Sequence, residues 1–167
     1  FAEAFAKPER AKVEPRDRAF ARLLVTTVLR RHGELAHVIS SHLQKPLPEP
    51  QGWVWPILLA GAAQLLLLDT PPHAAIGLAV EQCKADPNAR RFDKLVNAVL
   101  RRVSDGGIAA LNGLDAVAQN VPSWLLAGWE KTYGREAAWR IAAASLEEPP
   151  LDVTVKGDPL EWAAKLQ

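Results

Sequence analysis

The sequence contains no methionine and a single cysteine, Cys83, among its 167 residues. One cysteine excludes a disulfide framework, and it also excludes a zinc site built from several cysteines. Because the chain begins at Phe1 without an initiator methionine, we expect it to be a fragment of a longer protein or a processed chain. Its mass of 18.2 kDa is enough for one compact domain, and 49% hydrophobic with 23% charged residues is an ordinary globular composition.

Long hydrophobic runs and targeting segments are also missing. The longest apolar stretch, residues 53–68, is interrupted by Pro56, Gly61 and Gln64. It falls short of the roughly 18 apolar residues that a membrane helix needs. The start of the chain lacks the basic region and apolar run of a signal peptide. These absences predict a cytoplasmic protein without a membrane partner, in which residues 53–68 form a buried core helix.

Catalytic and metal-binding motifs are absent as well. The sequence has no glycine-rich phosphate loop, no His-Glu-x-x-His motif and no pair of carboxylates within an apolar helix face. His32, His37 and His42 recur every five residues, a spacing that spreads them around a helix, so we interpret them as surface or packing residues. Cys83 has no candidate base in a motif beside it and is interpreted as a buried structural thiol. We therefore expect no catalytic residue, metal or cofactor in this chain.

The net charge of +1 conceals an uneven distribution of charge along the chain. Residues 1–31 contain eight Lys/Arg and four Asp/Glu, a net of +4, whereas residues 32–83 contain one and four, a net of −3. Residues 84–102 contain six and two, a net of +4, and residues 103–167 contain five and nine, a net of −4. Two basic blocks alternate with two acidic ones, so a nearly neutral chain can still present a basic face to nucleic acid.

Hydrophobic periodicity predicts an all-α fold. Apolar residues recur at helical spacing from Pro15 to Leu146, and prolines or glycines such as Gly33 end the segments. Alternation of Leu151, Val153 and Val155 with polar residues predicts the start of a strand that leads to a missing domain. Helices are predicted over residues 15–32, 34–45, 53–68, 72–84, 90–103, 108–111, 115–120, 122–133 and 135–146, with a last one after Pro159.

The first helix is predicted to face the core with a stripe of five residues, Phe20, Leu23, Leu24, Thr27 and Val28. Val25 and Leu29 lie on its opposite side and predict a second contact there. The six tryptophans mostly stand at helical spacing with aliphatic residues, so core packing is favoured over base stacking.

Residues 90–103 have the most regular helical pattern. Their apolar face consists of Phe92, Leu95, Val96, Val99, Leu100 and Val103. Six polar residues fall within roughly 140° of the other side, namely Arg90, Arg91, Lys94, Asn97, Arg101 and Arg102. Five cations opposite a buried face suit phosphate binding, because neutralising several phosphates releases condensed counterions. We include Arg16, Arg18 and Arg22 of the first helix as an extension of this RNA-binding surface.

Other interpretations of these polar residues stay open. A solvated face with salt bridges would also place them outside, for instance with Arg18 or Arg22 paired to an acidic segment. Asn97 lies on the polar face but beside the core, so it either bonds the end of a neighbouring helix or contacts RNA.

Three segments stand out, and the last two are specific in combination: residues 17–25 (DRAFARLLV), residues 61–75 (GAAQLLLLDTPPHAA) and residues 95–102 (LVNAVLRR). In order and spacing they resemble the NusB-like all-helical RNA-binding fold, over about residues 1–120. Residues 122–126 (PSWLL) and 148–155 (EPPLDVTV) then make the chain most similar to the N-terminal domain of bacterial 16S rRNA (cytosine-C5) methyltransferases. The resemblance implies a helical module that binds RNA phosphates and A-form shape rather than sequence.

The same resemblance divides the chain into an RNA-binding domain at residues 1–120, a helical connector at residues 121–150 and the start of a following region at residues 151–167. It implies that the domain positions ribosomal RNA for an absent methyltransferase domain of the same protein. S-adenosylmethionine is expected in that missing domain, because the family's glycine-rich cofactor loop and Pro-Cys nucleophile motif do not occur here. Lys94 stands where a glycine is common in the family, and it adds positive charge to the helix.

Two alternatives remain. A stand-alone NusB-type transcription antitermination factor would bind RNA together with a ribosomal protein, and it would need no residues after about 120. A non-enzymatic protein-docking module would use an exposed apolar patch around Val25 and Leu29 and would ignore RNA.

Overall fold

The computed structural model describes residues 13–149 and 154–165, and these residues form helices joined by turns and short loops, with no strand among them. The predicted all-α fold is confirmed. The helices are α1 (Pro15–Arg30), α2 (His32–Ser41), α3 (Val54–Leu66), α4 (Pro72–Ala85), α5 (Asp93–Gly106), α6 (Ala116–Asn120), α7 (Ser123–Tyr133), α8 (Arg135–Leu146) and α9 (Pro159–Lys165), with 3₁₀ turns at Arg90–Phe92 and Gly107–Leu111.

Helix α3 is the centre of the main core, as its continuous apolar sequence predicts. It contacts α1, α2, α4 and α5, and side chains on several sides of it are buried, including Leu58, Ala62 and Ala63. Gly61 lets α5 come close, because a Cβ at this position would lie 2.6 Å from Cδ1 of Leu100. The packing of α5 on α3 and α4 fixes which side of α5 faces outward.

Helix α1 packs on the core along a narrow edge. Leu24 and Val28 contact the core cluster, but Phe20 and Leu23 are exposed, so only part of the predicted stripe faces inward. The predicted second contact on the opposite side is wrong for the described residues, because Leu29 is 67% exposed and Val25 is exposed as well. The physical reason is that, within the described part of the chain, α1 packs mainly on α2 and α3, and neither helix covers the side with Val25 and Leu29.

Gly33 lies inside α2, and the prediction that it ends the first helix is wrong. The break falls at Arg31, and α2 begins at His32. Gly33 allows the backbone of α6 to touch α2, because a Cβ there would overlap the carbonyl group of Gln119. The glycine therefore serves close helix packing rather than helix termination.

Asn120, at the end of α6, caps the start of α2. Its Oδ1 accepts hydrogen bonds from the backbone N–H groups of Gly33 (2.9 Å) and Glu34 (3.2 Å), which α2 leaves without partners of its own. Its Nδ2 donates to Oε2 of Glu34 at 2.6 Å and to the Ala116 carbonyl at 2.9 Å. Glu34 is only 2% exposed and also forms a two-point ion pair with Arg31. This polar cluster joins α6 to the main bundle.

Helices α7 and α8 pack side by side on a second, smaller core, as their predicted pairing requires. That core contains Val117, Val121 and Ala142, and Trp139 supports it by donating from Nε1 to Oε1 of Glu130 at 3.0 Å. Because α6 contacts both α2 and α8, it connects the two cores.

Three tryptophans contradict the prediction that these side chains mostly pack in the core. Trp124 is 75% exposed, Trp53 is 66% exposed, and Trp162 is exposed too. Each stands near the start of a helix, where neighbouring elements do not cover it. Trp55, Trp129 and Trp139 are partly buried against the two cores, as predicted.

The predicted strand lies largely outside the described residues, since Leu151–Val153 belong to the part that is not described, and Thr154 and Val155 are irregular. Across the described ranges, no helix combines the length and apolarity needed to cross a membrane.

Candidate nucleic-acid interface

Helix α5 has one buried and one exposed face, as its sequence predicts. Val96, Val99, Leu100 and Val103 are buried. The 3.6-residue period then places Lys94, Ala98 and Arg101 opposite them, and all three are exposed. We call five exposed cations on and just before this helix the cationic ridge: Arg90, Arg91, Lys94, Arg101 and Arg102.

Arg90 and Arg91 lie in a 3₁₀ turn rather than in the predicted α-helix, which begins at Asp93. Phe92 is buried and anchors this turn in the core. The Arg91 guanidinium lies 4.7 Å from the centre of the Phe92 ring, and its Nη2 donates to the Pro50 carbonyl at 2.8 Å. The turn thus holds Arg91 in place while Arg90 extends into solvent.

Arg102 and Arg101 also have neighbours that orient them. Nη1 of Arg102 makes a long hydrogen bond of 3.5 Å to the His42 carbonyl at the end of α2. Nε of Arg101 donates to Oδ1 of Asn97 at 3.3 Å. Asn97 is half-buried, and within the described ranges its side chain bonds its own helix, so it positions Arg101 instead of capping a neighbouring helix.

The three predicted arginines of α1 lie on a different helix from the cationic ridge. Arg16 and Arg22 are exposed and Arg18 is half-buried. Helix α1 packs on α2 and α3, and within the described ranges no hydrogen bond or ion pair joins these three arginines to α5. The structure therefore brings the predicted residues between 90 and 102 together and leaves those of α1 on another helix.

The salt-bridge interpretation of these cations finds no support in the described residues. The ion pairs there are Arg31 with Glu34 and Lys84 with Glu81, and none involves a predicted interface residue. Because no paired carboxylate neutralises these cations, their positive potential can attract a polyanion. The cationic ridge is thus electrostatically available for phosphate groups.

Cys83 is a buried structural thiol, which confirms the prediction for it. Its Sγ donates to the Ala89 carbonyl at 3.0 Å, and the side chain is not exposed. Burial raises the pKa of the Cys83 thiol above its usual range, and the negative charges of Asp93 and Asp86 raise it further. A raised pKa disfavours the nucleophilic thiolate.

The described histidines do not assemble a metal site. His32, His37 and His73 are exposed, and no group of three or more His, Cys, Asp or Glu side chains in the described ranges has the arrangement to hold a metal ion.

The loop of residues 42–53 is a part of this surface that sequence reasoning missed. It crosses beside α5, where Arg102 bonds its first residue, His42, and Arg91 bonds Pro50 near its end. It brings the exposed Lys45 to a groove that Arg102 also lines. The partners are 41 and 60 residues apart in sequence, so helical periodicity could not have revealed the contacts.

Residues 1–105 match the family model described as the NusB family. The ribosomal RNA small subunit methyltransferase B of Xanthomonas campestris pv. campestris is 35% identical over 158 residues, which cover 92% of this chain and 34% of that protein. Proteins of the same name from Cronobacter sakazakii and Escherichia coli O1:K1 are 32% and 33% identical over 148 residues, covering 86% of this chain and 34% of each relative. No solved structure matches the chain.

The chain spans about a third of the length of these relatives. The family match includes α1 to α4 and the cationic ridge, and it extends over most of the chain. On this basis, the chain belongs to the NusB family.

Proposed function

We propose that this chain is an RNA-binding module of a ribosomal RNA methyltransferase. The observation that carries the proposal is the cationic ridge, where five exposed cations on one continuous segment have no carboxylate partner among the described residues. Phosphate contacts of this kind supply affinity that does not depend on sequence and that falls with salt. Ribosomal RNA is the partner that suits both the ridge and the names of the relatives.

The arginines of the ridge suit this role because each guanidinium carries several N–H donors in a fixed plane. Arg91 uses Nη2 for the Pro50 carbonyl and keeps other donors for a phosphate oxygen. Held side chains lose less conformational entropy on binding than free ones. Among the described residues, the Lys94 ammonium has no hydrogen bond or ion pair, and it adds a point charge on a long side chain beside these arginines.

The extent of similarity favours the methyltransferase interpretation over a stand-alone antitermination factor. The alignment with the Xanthomonas protein covers 158 residues, well beyond the 105 residues of the family match. The additional length reaches the connector helices α7 and α8, for which the antitermination interpretation has no need. In the proposed scheme, these helices lead from the RNA-binding bundle towards a methyltransferase domain of the same protein.

The glycine-rich S-adenosylmethionine loop that the resemblance implies for the family does not occur in the sequence of this chain. Gly106 and Gly107 are adjacent, but they lie at the end of α5 and not between a strand and a helix. We therefore assign the cofactor and the methyl transfer to a part of the parent protein outside this chain, and the role of this chain is to hold and orient RNA.

Charge reversal on the ridge tests the proposal. The variant Lys94→Glu/Arg101→Glu changes two exposed side chains that, among the described residues, make no hydrogen bond outside their own helix. We therefore expect the variant to keep the fold. Its control, Lys131→Glu/Arg140→Glu, makes the same charge change on α7 and α8. We expect the ridge variant to bind a ribosomal RNA fragment about tenfold or more weakly than the control variant in fluorescence anisotropy. Equal affinities of the two variants would contradict the proposal.

A further inference from the structure

A groove separates the loop of residues 42–48 from the exposed side of α5. It has a volume of about 470 Å³, within the range of sites that hold small organic groups. Its walls are mainly apolar and include Leu43, Leu47, Leu95 and Ala98. Polar groups stand among them at His42, Gln44, Lys45 and Arg102.

The groove lies directly against the cationic ridge. Ala98 is on its wall, and Lys94 and Arg102 precede and follow Ala98 by four residues, so both project from the same side of α5. Lys45 brings a further cation from the loop. An apolar groove with cations around it is complementary to a ligand in which a flat ring with apolar faces is linked to phosphates.

Hydrogen bonds connect the loop that forms this wall to the ridge near both of its ends. Arg91 bonds the Pro50 carbonyl near one end of the loop and Arg102 approaches the His42 carbonyl at the other. The prolines Pro46 and Pro48 restrict the backbone between these points. A groove that is already formed costs less conformational entropy to occupy.

We propose that this groove receives an unpaired base of RNA while the cations of the ridge contact the adjoining phosphates. The proposal rests on the proposed function and makes it more specific, because it identifies unpaired RNA as the preferred substrate of the ridge. In a duplex, the faces of each base are covered by stacking and its pairing edge is occupied, so no base is free to enter the groove. In a single strand, the base is free to enter an apolar slot.

The test is to fill the groove without changing charge. Ala98→Leu places a larger side chain on its wall at an exposed helical position, where leucine is well tolerated. Ala143→Leu is the matched control, because Ala143 is an exposed alanine within α8 and remote in sequence from the groove. Binding of the full 167-residue chain is measured with a short single-stranded RNA of mixed sequence and with the same RNA paired to its complement.

We expect Ala98→Leu to bind the single strand about fivefold or more weakly than Ala143→Leu, since the added leucine atoms occupy space that the base would fill and remove part of its apolar contact with the groove. Affinity for the duplex and the salt dependence of both complexes are expected to stay unchanged. Equal affinities of the two variants for the single strand would overturn the base site and leave the phosphate-binding ridge intact. The same holds if Ala98→Leu weakens single strand and duplex alike. Failure of the unmodified chain to bind either RNA in a salt-dependent way would overturn both the site and the proposed function.

Discussion

Replacing Asn120 by alanine removes the side chain that ties α6 to the start of α2. In the folded chain this side chain accepts two backbone hydrogen bonds at 2.9 and 3.2 Å and donates one of 2.6 Å to the buried carboxylate of Glu34. Arg31, the residue before α2, provides no side-chain cap of its own. The N–H groups at the start of α2 therefore lose their side-chain acceptor in the variant.

The expected cost follows from the two kinds of bond that Asn120 makes. Loss of an N-terminal cap costs about 1 kcal/mol. A hydrogen bond to a charged group contributes about 1.5–3 kcal/mol to the free energy of unfolding, which the variant loses. Asn120 is partly exposed, so water replaces some of these bonds, and we expect Asn120→Ala to lower the free energy of unfolding by about 2–3 kcal/mol.

Urea denaturation followed by circular dichroism measures this change. Gln119→Ala is the control, because Gln119 is the exposed neighbour on the same helix and its side chain makes no hydrogen bond to the part of the chain that the structure describes. With a denaturant slope of about 2 kcal/mol per molar, Asn120→Ala shifts the midpoint downward by about 1 M urea. A midpoint equal to that of Gln119→Ala would refute the reasoning, since the cap would then contribute nothing to stability.

Two further predictions concern packing and pH. Gly33→Ala is expected to destabilise the fold by about 1–3 kcal/mol in urea denaturation, because the added Cβ overlaps the Gln119 carbonyl. Gly77→Ala in α4 is the control, because a Cβ there meets no atom within 4 Å. It is expected to stabilise the fold by about 0.5–1 kcal/mol. Equal effects of the two substitutions would contradict the packing argument. Burial by itself would raise the pKa of Glu34, but hydrogen bonds from Arg31 and Asn120 and the charge of Arg31 outweigh it and lower the pKa. Because the folded pKa lies below the unfolded one, this stabilisation is complete above the unfolded value of about 4.3 and is lost as the pH falls through the folded value. The free energy of unfolding, measured between neutral pH and about pH 3, should therefore fall more steeply for the unmodified chain than for Glu34→Gln. Identical pH profiles of the two proteins would contradict a stabilising role of the ionised Glu34 carboxylate.

Local pattern was enough to predict most helices and the outward face of α5. Pro15 and Pro72 stand at the starts of α1 and α4, and Gly134 separates α7 from α8, as the sequence implies. The alternation of apolar and cationic residues in α5 likewise predicts which side is buried, because both properties depend only on the helical period.

Features that depend on distant partners were not predictable in this way. Gly33 looks like a helix terminator until α6, which follows it by more than 80 residues, is placed against it. The exposure of Trp53 and Trp124 depends on which neighbours cover them, and sequence spacing does not encode that. The groove beside Ala98 exists because the loop is held by Arg91 and Arg102, which are 41 and 60 residues from their acceptors.

The central claim is that the cationic ridge binds RNA through its phosphates, and the salt dependence of binding tests it most directly. The measurement is the slope of the logarithm of affinity against the logarithm of salt concentration, for the unmodified chain and for Lys94→Gln/Arg101→Gln, with a single-stranded ribosomal RNA fragment. If each side chain neutralises one phosphate, the slope of the variant is shallower by about 1.4, at roughly 0.7 per phosphate on a single strand. Equal slopes for the two proteins, or an unmodified chain whose binding does not respond to salt, would contradict the claim.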